Sequence, residues 1–178
     1  MPIPRIFLIG PMGAGKTTIG KKLAARLRLK FADADWEIQR QAGMTIAQLF
    51  KTAGEEGFRD QEELAIARLT QIEQQVLAIG GGGILRPNNR QHLANRGCVI
   101  YLHCSPKQQF VRTQHSQHRP LLQTPDPLAR LQALMLEREP LYRAIADYTV
   151  VVERQSPQKV VKHIIQYLQS VKLMENAP

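Results

Sequence analysis

"RIFLIGPMGAGKTTIG", Arg5 to Gly20, decides how the rest of the chain is read. An apolar run ends at Ile9, glycines follow, and then Ile19, Leu23 and Leu27 recur every fourth position. Those periods predict a buried strand, a tight loop and a helix. Inside the stretch, Gly10 to Thr17 fits G-x-x-x-x-G-K-[ST]. This is the phosphate-loop pattern, set between a strand and a helix as the motif requires. Gly10 and Gly15 let the backbone curl so that its amides point inward, and a helix N-terminus adds partial positive charge. Lys16 brings a full charge to the β and γ phosphates, and the Thr17 hydroxyl suits Mg²⁺. The expected ligand is a purine nucleoside triphosphate with magnesium. The loop leaves the acceptor open, because many P-loop proteins hydrolyse the nucleotide to drive motion.

Outward from this stretch, strands and helices alternate to the end of the chain. "LKFADAD", "QVLAIGGGG", "CVIYLHC" and "YTVVVE" read as further strands. Helices are expected over 45–53 and 58–75, joined at "AGEEG", over 87–96, and after Ser105, Asp126 and Ser156. Alternation of this kind means a parallel sheet covered on both faces, here five strands in a three-layer α/β/α fold. Residues 1–170 are expected to form one domain and 171–178 a loose tail. The polar, Pro-rich stretch at about 113–127 has the length of a lid.

With 178 residues the chain can bury one sizeable core. No apolar run approaches the roughly 18 residues of a membrane span, and the start lacks the shape of a signal peptide. A cytoplasmic protein with no membrane partner is expected. Cys98 and Cys104 bracket a strand of roughly 20 Å, beyond disulfide reach, so both are expected as thiols. His115 and His118 read as solvated loop residues with no metal spacing. Lys and Arg number 24 against 15 Asp and Glu. These cations are scattered along the sequence without a block, and aromatics are few. Small anionic ligands are therefore favoured over nucleic acid.

"FADADWEI" then raises a question of chemistry. Strand alternation puts Asp33 and Asp35 on one face, at the sheet end where ligands of such folds bind. One carboxylate would accompany Mg²⁺ and the other would accept a proton from an attacking hydroxyl. The plain alternative is a pair of solvated turn carboxylates, with Asp35 capping a helix over "WEIQRQ". Glu153, which closes "VVV", reads as an ordinary strand end. Asp33 is then the better metal candidate, and the chain reads as a small-molecule kinase.

"GPMGAGKTTIG", "DAD" followed by "EI", "GEEGFR", "GGG", "RPLL" and "REPLY" resemble, in order and spacing, the bacterial and plant shikimate kinases. The resemblance runs from Ile6 to about Leu168. It implies a nucleoside-monophosphate-kinase-like P-loop fold with a lid and substrate-binding helices at about 36–62. It also implies a monomer that moves the γ-phosphoryl of ATP to the 3-hydroxyl of shikimate with Mg²⁺. By resemblance, Asp35 is the base and touches the shikimate hydroxyls, while Thr17 and Asp33 serve the metal. Arg59 and Arg138 match the grips on the substrate carboxylate, and Gly81 and Gly82 the turn against its ring. Lys16 and the lid residue Arg119 match groups at the transferring phosphate. Gly13, Ala14, Gly15 and Thr18 complete the nucleotide loop, and Arg112, Gln155 and Pro157 match positions near the adenine. Each arginine also has a bland reading. Arg59 would pair with Glu55, Glu56 or Glu62 on a helix surface, Arg138 with Glu137 or Glu139, and Arg119 with solvent alone. The competing activities are a kinase of the same fold acting on gluconate or a nucleoside monophosphate, and a nucleic-acid-stimulated ATPase.

Overall fold

Strand β1 (Arg5–Ile9) lies at the centre of the sheet, with both faces buried because its side chains alternate between two separate cores. Ile6 and Leu8 point to one core, Phe7 and Ile9 to the other. The computed structural model describes residues 5–115 and 122–175. In chain order β1 is followed by α1 (Lys16–Leu27), β2 (Lys30–Asp33), α2 (Ala34–Ala42), α3 (Ile46–Leu69) and β3 (Gln75–Ala78). Then come α4 (Pro87–Arg96), β4 (Cys98–His103), α5 (Pro106–Thr113), α6 (Pro127–Ile145), β5 (Tyr148–Val151) and α7 (Pro157–Glu175). Helices α4, α5 and α6 each carry Pro in the first turn, where its missing N–H costs nothing.

The five strands pair in the order β2-β3-β1-β4-β5, all parallel. α1 and α7 cover one face through Leu23, Val160 and Ile164. α3, α4 and α6 cover the other through Ile66, Leu93, Met135 and Tyr142. β3 and β4 flank β1 on opposite sides, so the chain changes direction beside the end of β1. A crevice opens at such a switch point, and the phosphate loop leaves β1 into it.

The expected architecture holds, with local corrections. β2 stops at Asp33 and α2 begins at Ala34, so the two aspartates do not share one strand face. Asp33 ends the strand and caps the helix, while Asp35 belongs to the first helical turn. The two helices expected around "AGEEG" are one element, α3, interrupted only at Gly54 (φ 71°, ψ −179°) and ending at Leu69. α7 runs past Val171 to Glu175, where a loose tail was expected. Of the expected lid, residues 116–121 lie outside the described residues. Both cysteines are free thiols. No described helix is long and apolar enough to cross a membrane.

Candidate active site

Three glycines with positive φ shape the loop after β1: Gly10 at 144°, Gly13 at 79° and Gly15 at 86°. Gly13 occupies a position that the motif leaves free, yet its backbone needs glycine as much as the two signature positions do. At Gly10 a Cβ would stand 2.5 Å from the Leu102 carbonyl oxygen of β4, so the loop is pressed against the sheet. α1 starts at Lys16 with no side-chain cap. Its first N–H groups and partial positive charge therefore face the loop, an arrangement suited to a phosphate. The Lys16 ammonium donates to the carbonyls of Gly10 (2.7 Å) and Pro11 (2.8 Å), which holds it over the loop. Arg112 of α5 donates to the Gly13 carbonyl at 2.9 Å. Beside the loop lies a cavity of about 470 Å³, and Arg112, Gln155 and Pro157 line it together with Gly13, Lys16 and Thr17. Thus the three residues expected near the adenine share one wall with the phosphate loop.

Asp33 joins the two halves of the site. One carboxylate oxygen accepts from the Asp35 N–H (3.0 Å) and the Trp36 N–H (3.4 Å), capping α2. The other accepts from the Thr17 hydroxyl at 2.8 Å. A hydroxyl and a carboxylate in contact are hard oxygen donors of the kind Mg²⁺ takes while keeping several waters. Among the described residues no cluster of three or more His, Cys, Asp or Glu forms a complete protein cage. The donor set therefore fits a metal shared with nucleotide phosphates. Glu153 is occupied elsewhere. It accepts from the Ser105 N–H at the start of α5, and the hydrogen bonds from Ser105 hold its carboxyl below the usual range. β5 ends at Val151, so Glu153 lies in the turn beyond the strand rather than on its end.

A second cavity, of about 510 Å³, adjoins the first; Thr17, Asp33, Asp35, Gly80 and Gly81 line both. Arg59 and Arg138 line only the second, and each is 5% exposed. For Arg59 the expected pairing is present but not as a surface contact: it donates to the buried Glu62 at 2.6 Å and to the partly exposed Glu55 at 3.3 Å from a buried position. For Arg138 surface pairing is overturned. Arg138 bonds to neither Glu137 nor Glu139; Glu139 pairs with Arg143 instead. Among the described residues no carboxylate forms an ion pair with Arg138, its Nε has no partner, and its guanidinium interacts with the Tyr142 phenol. A buried guanidinium in that state favours an anion entering the cavity.

Three residues that sequence reasoning missed complete this floor. Glu62 is 1% exposed. Burial pushes its carboxyl up to about 7, with Arg59 opposing that rise and Asp35 adding to it. Gly80 lies between the two carboxylates. A Cβ there would stand 2.7 Å from Asp35 Oδ1 and 3.2 Å from Glu62 Oε1. At Gly82 a Cβ would meet the Arg59 guanidinium at 2.4 to 2.6 Å. None of Gly80 to Gly83 has positive φ, so these glycines supply room for charged side chains rather than an unusual backbone. Tyr142, fully buried on α6, donates to the Gly81 carbonyl and ties the turn to the helix that carries Arg138. A signal for Glu62 existed: it falls on the α3 stripe of Phe58, Ala65 and Leu69, where a carboxylate on an apolar face marks a buried polar site. Gly80 and Tyr142 fall within the glycine run and the "REPLY" stretch, but which charged groups they meet was not readable, because their partners are distant in sequence. Arg119, expected at the transferring phosphate, lies outside the described residues.

A phosphate loop and an adjoining, cation-lined acceptor cavity, with carboxylates where the two meet, define a P-loop phosphotransferase for a small molecule. A family profile described as shikimate kinase matches residues 12–169. The chain is 51% identical over 160 residues to a shikimate kinase of Methylococcus capsulatus, covering 90% of this chain and 89% of the relative. A shikimate kinase of Thioalkalivibrio sulfidiphilus is also 51% identical, over 91% of this chain and 85% of its own length. Among solved structures, shikimate kinase from Acinetobacter baumannii in complex with shikimate superposes with a TM-score of 0.94 at 43% identity, over 96% of each chain. The chain belongs to the shikimate kinase family.

Proposed function

We propose that this enzyme transfers the γ-phosphoryl of ATP to the 3-hydroxyl of shikimate, giving shikimate 3-phosphate and ADP. The observation that carries the reading is Arg138: buried, lining the acceptor cavity beside Arg59, and without a carboxylate partner among the described residues. Two guanidiniums there suit a planar carboxylate in bidentate fashion, which shikimate has and AMP lacks. With the carboxylate so gripped, the ring hydroxyls fall toward Asp35, at the boundary with the nucleotide cavity. Asp35 accepts the hydroxyl proton as the oxygen attacks the γ-phosphorus and the bond to the β-phosphate oxygen breaks. Lys16 and the loop amides carry the charge on the phosphates, with Arg119 of the lid assigned to the same task. Thr17 and Asp33 would hold Mg²⁺, which when bound neutralises phosphate charge. Gln155 and Pro157 flank the adenine. We also assign the enzyme to the cytoplasm, in keeping with its two free thiols, and regard it as a monomer.

The test offers shikimate, gluconate and AMP in turn to the purified enzyme with ATP and magnesium, and measures ADP release. Turnover with shikimate alone is expected. Turnover with gluconate or AMP that matches or exceeds turnover with shikimate overturns the assignment.

A further inference from the structure

The sequence holds no Asp or Glu from Lys16 to Lys30, nor from Arg154 to Val171. Those two stretches are far apart in the chain, but they hold α1 and most of α7. Both helices pack through the same core onto one face of the sheet. Lys21, Lys22 and Arg26 are exposed on α1, Arg28 at its C-cap, and Lys159 and Lys162 on α7. These six account for most of the net charge of +9. Among the described residues none of the six enters an ion pair; Lys21 instead lies over the Trp36 ring, 4.8 Å from its centroid. The opposite layer differs. There α3 carries Glu55, Glu56, Asp60 and Glu63, which are tied up by Arg59 and Arg86. Charge that reads as scattered along the sequence is therefore gathered by the fold onto one outer face.

We infer that the α1–α7 face is an electrostatic docking surface for the phosphate backbone of double-helical nucleic acid. Charge complementarity selects a polyanion, and the composition of the face selects which one. Among the residues whose side chains are described, none of the exposed large apolar ones lies on α1 or α7. A specific protein partner needs aromatic or aliphatic anchors at the centre of the contact, and a membrane-surface helix needs an apolar face. A single strand needs aromatic platforms for its bases. Phosphate-backbone binding needs none of these, because release of condensed counterions supplies the affinity. Side by side, the two helices present a strip roughly 18 Å or more in length, on the scale of about ten phosphates counted over both strands of a duplex. None of the six cations lines the nucleotide or acceptor cavity, so the inference stands whatever the acceptor proves to be.

A fluorescent 20-base-pair duplex, titrated with the full-length enzyme and followed by anisotropy between 50 and 200 mM KCl, tests this. Binding is expected in the micromolar range at low salt, with a log–log salt slope between about −3.6 and −5.4 for four to six phosphate contacts. Lys22→Glu/Arg26→Glu/Lys159→Glu/Lys162→Glu is expected to weaken binding at least about tenfold and to flatten the slope, with kinase activity unchanged. If that set fails to fold, the corresponding four Gln substitutions are expected to weaken binding by a lesser factor. Binding by a folded variant that matches wild type overturns the proposal. So does binding of poly-glutamate, or of phosphatidylserine vesicles at equal charge, as tight as that of the duplex.

Discussion

The two halves of the active site use glycine for opposite reasons. In the phosphate loop Gly10, Gly13 and Gly15 hold positive φ, and most of the groups that face the ligand are backbone amides, joined by the Lys16 and Thr17 side chains. In the turn after β3 the glycines have ordinary φ, and Gly80 and Gly82 make room for Asp35, Glu62 and Arg59. The first half is local: eight consecutive residues build it. The second is assembled from α2, α3, α6 and the turn, and it rests on buried charged side chains: Arg59 paired with Glu62, and Arg138 without a carboxylate partner among the described residues. A backbone site tolerates side-chain changes but not a change of backbone conformation. A side-chain site behaves the other way, and the difference can be broken or sharpened by substitution.

The largest effect is expected at Gly10→Ala. Its Cβ would meet a carbonyl of β4, a rigid neighbour, at a φ that alanine rarely adopts. A loss of about 3 kcal/mol or more is expected in urea unfolding; a loss under about 1 kcal/mol would show that the loop is softer than described. Asp35→Asn should leave nucleotide binding near wild type by calorimetry while kcat falls by about 10² or more. A turnover number within a few-fold of wild type removes Asp35 as the base. Arg138→Ala should raise KM for shikimate by about 10- to 100-fold, the scale of a charged hydrogen bond, with little change in KM for ATP. An unchanged shikimate dependence rejects the anchoring role. Gly82→Ala is the counterpart of Gly10→Ala. The clash is with the far end of the Arg59 side chain rather than with backbone, so a smaller stability loss of about 1 to 3 kcal/mol is expected, with acceptor affinity lowered roughly tenfold. If Gly82→Ala unfolds the protein as Gly10→Ala does, the two glycine roles are the same after all.

The smallest effect concerns pH. Burial raises the Glu62 carboxyl from its ordinary 4.5 to about 7, so the folded chain binds its proton more tightly than the unfolded chain does. The resulting stabilisation is fully present below about 4.5 and is lost as pH rises through about 7. Between pH 5 and 8, the stability of wild type should therefore decline more steeply than that of Glu62→Gln in denaturant titrations. Parallel declines would mean that Glu62 is already ionised at pH 5.

The phosphate loop was legible because its chemistry and its geometry lie in one short stretch. Gly10, Gly15, Lys16 and Thr17 sit at fixed spacing between a strand and a helix, and no distant residue is needed to define them. The alternation of apolar periods likewise determined a parallel, doubly covered sheet, and the resemblance pointed to Arg59 and Arg138. What they do in the interior was not legible. Helix-surface pairing with neighbouring glutamates satisfies the same spacing, and only the core that α3 and α6 share, together with the glycine turn, shows which side of each helix is buried. The positions of Asp33 and Asp35 depended on where a strand ended, a boundary decided by Thr17 and the capped amides of α2 together. Local pattern fixes periods and motifs because those arise from backbone sterics and near neighbours. The buried charge cluster, the room left by Gly80 and Gly82, and the basic outer face arise from contacts between segments far apart in the chain, and only folding brings those together.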